Sequence, residues 1–203
     1  PKVEEPDELR AVDARLKELT EAPVLVMPII ESAKGVMNAF AIATASERNV
    51  ALTIGLEDYT ADLGVQRTVE GRESRYAREV VVNAARAAGL QAIDTVHSDV
   101  SDPAGLAAAV REARGLGFEG KGCIHPRQIA VVHEAFLPTE DEVSRACAVV
   151  NAFRVAEEEG LGVVSLGSKM IDPPVVKRAL KTVEQAVQGG VLAVDWMDEG
   201  DEA

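Results

Sequence analysis

Aromatic side chains are scarce in this chain: Trp, Tyr and Phe together make up 3% of its 203 residues. Ala and Val dominate instead, a composition that suits tightly packed helix–sheet layers better than an aromatic-rich binding surface. Positive charge is short as well. Against 34 Asp and Glu stand 21 Lys and Arg, a formal net charge of −13. Such a chain lacks the general field that draws nucleic acid or an anionic membrane. An anionic substrate stays compatible if a cation neutralises the pocket. Cysteine is limited to Cys123 and Cys147, with no CxxC pair, which excludes a disulfide framework and fits a reducing, cytoplasmic compartment. No apolar stretch reaches the roughly 18 residues of a membrane span, and no charged-then-apolar leader occurs in these residues.

What the chain does have is a regular alternation. Pro1-Lys2-Val3-Glu4 reads as the last residues of a strand, so the fold is expected to begin partway through. A helix over 5–19 follows, with Leu9, Val12, Leu16 and Leu19 at helical spacing. Val24 to Ile30 is a strand-length apolar run in which Pro28 is awkward, since proline removes a ladder donor. The pattern then predicts a helix over 35–46 with Val36, Ala39, Phe40 and Ala43 inward. A strand over 50–54, a polar loop over 60–72 and a helix over 74–88 come next, the last with Tyr76, Val80, Ala84 and Ala87 as its inner face. Beyond it lie a strand over 91–96, a helix over 103–116, a short element over 118–124 and a helix from about Arg127. Thr139 and Glu142 form a capping-box pattern at the start of a long helix that Gly160 stops. Asp172-Pro173-Pro174 opens a final helix, and an acidic tail follows Asp195. Apolar strands alternating with helices indicate parallel βαβ units. A complete (β/α)8 barrel takes about 250 residues, and only four strands and the end of a fifth are readable here. A smaller, complete open sheet is the alternative.

Two strands end in acidic segments, Ile29-Ile30-Glu31-Ser32 and Leu56-Glu57-Asp58-Tyr59. Neighbouring parallel strands lie about 4.8 Å apart, so Glu31 and Asp58 can converge on one divalent cation. Oxygen ligands with few histidines favour Mg2+ over zinc. The competing reading is that these are ordinary loop acids. Glu57 is expected to point away from Asp58, and Lys2 to stand either near the pocket or in solvent. His125 ends a strand, and a loop hydrogen bond is its expected task. Gly120-Lys121-Gly122 lacks Walker spacing. Asp172, followed by two prolines and a helix, reads by default as an N-cap. Arg67, Arg72, Arg75 and Arg78 are candidates for an anion, with Arg75 and Arg78 readable as helix surface charges.

Six segments taken in order resemble the citrate lyase β-subunit and HpcH/HpaI aldolase superfamily. They are residues 1–4, Ile30-Glu31-Ser32-Ala33-Lys34-Gly35, Gly55-Leu56-Glu57-Asp58-Tyr59, Ile93-Asp94-Thr95-Val96, residues 120–126 and Gly167-Ser168-Lys169-Met170-Ile171-Asp172. The resemblance runs from Pro1 to about Ala186. It implies an α/β fold of the TIM (β/α)8 class, with residues 1–135 as the C-terminal half of the barrel and 136–203 as a C-terminal helical extension or lid. It makes Glu31 and Asp58 the Mg2+ ligands and Asp172 a catalytic group, reaching the active site of a neighbouring subunit in a trimer or hexamer. A carboxylate-binding arginine belongs to the part of the barrel that precedes these residues.

The activity the resemblance implies is Mg2+-dependent carbon–carbon lysis. A citryl thioester, carried on coenzyme A or on an acyl-carrier protein within a citrate lyase complex, would give oxaloacetate and an acetyl thioester. Residues 93–99 and 162–166 look like the citrate lyase β side of the family. Malyl-CoA or citramalyl-CoA lyase activity, a pyruvate-type aldolase acting on free hydroxy acids, and a non-catalytic subunit that supports an assembly are the alternatives.

Overall fold

The computed structural model describes residues 2–158, 160, 164–166 and 169–197. Pro1, Gly162, Val163, Gly167, Ser168 and the acidic tail over 198–203, all used in the sequence reading, lie outside the described residues. The described chain divides into two compact units, Pro1–Phe136 and Leu137–Ala203.

In the first unit, β1 (Ile29–Ile30), β2 (Ala51–Ile54), β3 (Gln91–Asp94) and β4 (Gly120–Lys121) form one parallel sheet in chain order. Lys2 adds a parallel bridge to Ile29, and the Val3 N–H donates to the Ile29 carbonyl at 3.1 Å. The first described residues therefore pair in parallel beside β1 through a single bridge. The run from Val24 pairs only in part. Val26 bridges Asn49, and regular pairing starts at Ile29, past Pro28, whose missing N–H interrupts the ladder.

Helices α1 (Pro6–Leu19), α2 (Ala33–Met37), α3 (Ala39–Ala43), α4 (Leu56–Leu63), α5 (Arg75–Ala87), α6 (Pro103–Leu116) and α7 (Arg127–Phe136) fill the connections. Ile30, Leu52, Ile54 and Ala92 pack from the strands against Val36, Ile42, Ala77, Val81 and Ala85 from the helices. Strand side chains alternate, so Ile29, Thr53, Ile93 and Gly120, one cross-sheet row in register, belong to the other face. Leu25 and Met27, of the same parity as Ile29, are 64% and 51% exposed.

Several helix expectations need correction. The helix predicted over 35–46 is two short ones, separated at Asn38, whose side chain donates to the Glu4 carbonyl at 2.8 Å. Phe40, expected inward, is 54% exposed, and Tyr76 is 61% exposed. The buried face of α5 is Ala77, Arg78, Val81, Val82, Ala84 and Ala85. Ala84 is buried and Val80 packs against the core as expected, whereas Tyr76 and Ala87 line an open apolar groove of about 500 Å3 with Val36, Met37 and Phe40. Two apolar stripes on one helix made the wrong one look like the core. On α1, Leu9 is buried while Val12 and Leu19 are exposed, and the helix packs against α3. The loop expected from residue 60 begins later, since α4 runs to Leu63 and ends at Gly64 in the left-handed conformation, φ 71°.

The second unit contains α8 (Glu140–Glu158), an antiparallel pair β5 (Val164–Leu166) and β6 (Lys169–Ile171), and α9 (Pro173–Gln188). Thr139 and Glu142 make the expected reciprocal cap: the Thr139 N–H donates to Glu142 Oε2 at 2.8 Å and the Glu142 N–H to Thr139 Oγ1 at 3.3 Å. Ala146 and Val150 of α8 pack against Ala179 and Val183 of α9, with Leu192 and Trp196 at the margin.

Candidate active site

The site grows from the ends of β1 and β2. Glu31 is the first residue beyond β1, and Ser32 at once starts α2: its buried hydroxyl accepts the Gly35 N–H at 3.1 Å. The next N–H, from Ala33, donates to Asp62 Oδ2 on α4 at 2.8 Å. Both bonds hold the start of α2, directly after Glu31, and the second ties it to α4. Beyond β2, Gly55 is the N-cap of α4, and Glu57 and Asp58 lie in that helix's first turn. The acidic segment read from the sequence as a loop is helical. Carboxylates are favourable there, beside unpaired N–H groups.

Glu31 and Asp58 come together. The Glu31 carboxyl is raised above its ordinary value, first by burial and then by repulsion from Asp58, and Lys2 opposes the shift. A Cβ on Gly55 would lie 2.5 Å from Glu31 Oε2 and 3.0 Å from the Glu31 Cβ, so the glutamate occupies the space a side chain at position 55 would take. Two carboxylates that repel across a cradle left by a glycine fit a divalent cation, and an all-oxygen pair fits Mg2+. Among the described residues no cluster of three His, Cys, Asp or Glu side chains forms.

Glu57 points away from the pair, as expected, into an ion pair with Arg67. The same guanidinium donates to the Val96 carbonyl at 3.0 Å, so Arg67 ties the loop after β3 to the first turn of α4. Thr95, buried at the end of β3, accepts the Leu56 N–H on its hydroxyl at 3.2 Å. His125 makes the loop hydrogen bond expected of it, Nδ1 accepting the Arg127 N–H at 3.1 Å.

Arg78 overturns the surface-charge reading. It is buried and bidentate to Asp94, both bonds 3.1 Å, with Glu112 at 3.0 Å and the Phe118 ring 5.7 Å from its guanidinium carbon. Lys121 joins Asp94 at 2.7 Å from the next strand, and burial lowers its pKa although Asp94 opposes that shift. One signal was available: Asp94 stands in an apolar strand, and an acid there needs a buried cation. Gln128 was also missed. It bridges two loops, accepting the Ile124 N–H at 2.9 Å and donating to the His97 carbonyl at 2.9 Å.

Asp172 belongs to the second unit, where it is the N-cap of α9 and its Oδ1 accepts the Val175 N–H at 3.1 Å.

A parallel α/β sheet with carboxylates gathered beyond successive strands defines a class of metal-dependent α/β enzyme folds. Within that class the match is specific: residues 1–126 fit the HpcH/HpaI aldolase/citrate lyase family, and the chain belongs to that family. Over 166 residues it is 44% identical to the citrate lyase subunit beta of Escherichia coli K12, covering 82% of this chain and 55% of that protein. Over 199 residues it is 36% identical to the mitochondrial citramalyl-CoA lyase of Mus musculus, covering 92% of this chain and 59% of that one. The Mycobacterium tuberculosis protein CitE, in complex with magnesium, acetoacetate and coenzyme A, superposes with a TM-score of 0.76 at 32% identity, over 92% of this chain and 66% of that one. The chain thus spans little more than half the length of the curated relatives it matches. Among the described residues no helix is long and apolar enough to cross a membrane.

Proposed function

We propose that this chain carries the metal-binding part of a Mg2+-dependent carbon–carbon lyase acting on a 2-hydroxy-acid thioester, with a citryl thioester as the first candidate. The observation that carries the reading is the convergence of Glu31 and Asp58 beside Gly55. Glu31 and Asp58 would hold the cation, which when bound polarises the oxygen of the 2-hydroxy or 2-oxo acid. Lys2 partly offsets the burial and the Asp58 repulsion that raise the Glu31 carboxyl, and a bound cation would offset them further. In the cleavage direction a base takes the proton of the substrate hydroxyl, which becomes the carbonyl of the 2-oxo acid as the carbon–carbon bond breaks. Its electron pair passes to the thioester fragment as an enolate, and a proton delivered to that carbon completes the acetyl thioester. We assign Asp172 to the thioester carbon, contributed from a neighbouring copy in a trimer or hexamer.

The architecture proposed for this chemistry is a (β/α)8 barrel. Residues 1–135 supply its later strands, and 136–203 are assigned as a C-terminal helical extension. The row Ile29, Thr53 and Ile93, with Leu25 and Met27 exposed beside it, supports that reading, because parallel sheets are covered on both faces. The 44% identity to a citrate lyase β-subunit supports a citrate lyase complex and a carrier-bound substrate. The 36% identity to a citramalyl-CoA lyase favours a second reading, a stand-alone enzyme on citramalyl-CoA or malyl-CoA. We place the reaction in the cytoplasm, in keeping with the chain's two cysteines and lack of a disulfide framework.

The test is turnover by the intact protein of citryl-CoA, malyl-CoA, citramalyl-CoA and the corresponding free acids. A thioester lyase cleaves at least one CoA ester and leaves the free acids untouched. Turnover of the free acids alone would establish the aldolase instead.

A further inference from the structure

We propose that Thr95 is a positioning residue for the metal site: its hydroxyl holds the first turn of α4 in the place where Asp58 meets Glu31. The inference rests on the Mg2+ reading of those two carboxylates. It starts from a deficit at the helix N-terminus. The first N–H groups of a helix have no partner within it, and the N-cap side chain ordinarily supplies one. The N-cap of α4 is Gly55, which has no side chain to offer. A serine, threonine or aspartate there would displace the carboxylate, because a Cβ would fall 2.5 Å from Glu31 Oε2 and 3.0 Å from the Glu31 Cβ. Seating Glu31 therefore removes the cap from the helix that carries Asp58.

The missing acceptor comes from the next strand. Thr95 Oγ1 takes the N–H of Leu56, the first residue of α4, at 3.2 Å, and both residues are buried. Its own position is well anchored. The preceding residue, Asp94, is held by Arg78 and Lys121, and the Asp94 carbonyl accepts the Gly122 N–H at 2.9 Å. Arg67 makes a second, more exposed tie between the same two elements, joining the Val96 carbonyl to the Glu57 carboxylate. The buried tie lies two residues from Asp58 and sets the direction of its helical turn.

Thr95→Val keeps the shape and removes the acceptor, Thr95→Ala removes it without added bulk, and Thr95→Ser restores it. The experiment is Mg2+ titration calorimetry of each intact protein, with its thermal melt in EDTA measured alongside. Groups that orient metal ligands are worth about 10–100-fold in affinity, and losses of that order are expected for the valine and alanine variants with folding retained. Serine should recover most of the affinity. Wild-type binding together with undiminished binding by the valine and alanine variants overturns this inference alone. A serine variant as weak as valine, or an alanine variant that does not fold, assigns Thr95 to general stability and overturns it equally. Wild-type protein that binds no Mg2+ overturns the metal reading and this inference with it.

Discussion

Glu31 is a residue whose environment works against its charge. Burial and Asp58 both raise its pKa above the ordinary 4.5. A carboxyl raised in the folded state favours folding below its unfolded pKa, and that contribution is lost as pH rises through the folded value. In EDTA, then, the wild-type melting temperature should fall relative to Glu31→Gln as pH climbs from about 4.5 toward neutrality. At pH 7 the glutamine variant should melt higher than wild type without metal. Adding Mg2+ should raise the wild-type melting temperature and leave Glu31→Gln unmoved. Parallel melting curves for the two proteins across that range would show that the carboxylates do not repel as described. The same residue shows how far sequence reading reaches. Glu31 and Asp58 were legible because both follow predicted strands. Their convergence depends on Gly55, whose missing Cβ matters only in three dimensions.

At the scale of elements, α9 tests the double role assigned to Asp172. As N-cap alone, Asp172→Ala should cost about 0.5–2 kcal/mol, read as a shift in the denaturation midpoint. If Asp172 also serves the reaction, turnover should collapse in an assembly that remains folded. Near-wild-type turnover would leave only the cap. The buried cluster joining α5, β3 and β4 makes a different prediction. Asp94→Asn strands two buried cations, Arg78 and Lys121, and should cost about 3–5 kcal/mol in a denaturant titration. Lys121→Met leaves the bidentate Arg78–Asp94 pair intact and should cost less. Equal costs would mean that Lys121 contributes as much as Arg78. Helix starts marked by local chemistry, such as the Thr139–Glu142 box and Asp172-Pro173-Pro174, were legible in the sequence. Faces set by tertiary packing were not: Tyr76 and Phe40 lie on an apolar stripe that is periodic yet exposed, and Arg78 hides a charge inside the true core face.

At the scale of the molecule, the order β1-β2-β3-β4 in parallel follows from apolar strands alternating with helices, and the sequence pattern anticipated it. The antiparallel pair β5–β6 was not anticipated, because strands of three residues leave too short a period to read. The acid that a lyase of this kind would prefer is less accessible still, since the chain covers 55% of the E. coli citrate lyase β-subunit it matches. The central claim, that Glu31 and Asp58 serve a Mg2+-dependent thioester lyase, is tested most directly by incubating the intact protein with a citryl thioester in Mg2+ and again in EDTA. Free coenzyme A and the carrier protein serve as the two thioester forms. The account predicts oxaloacetate and the matching acetyl thioester in equal amounts with Mg2+, and neither with EDTA. Cleavage that persists in EDTA, or that is unchanged in Glu31→Gln, would contradict it.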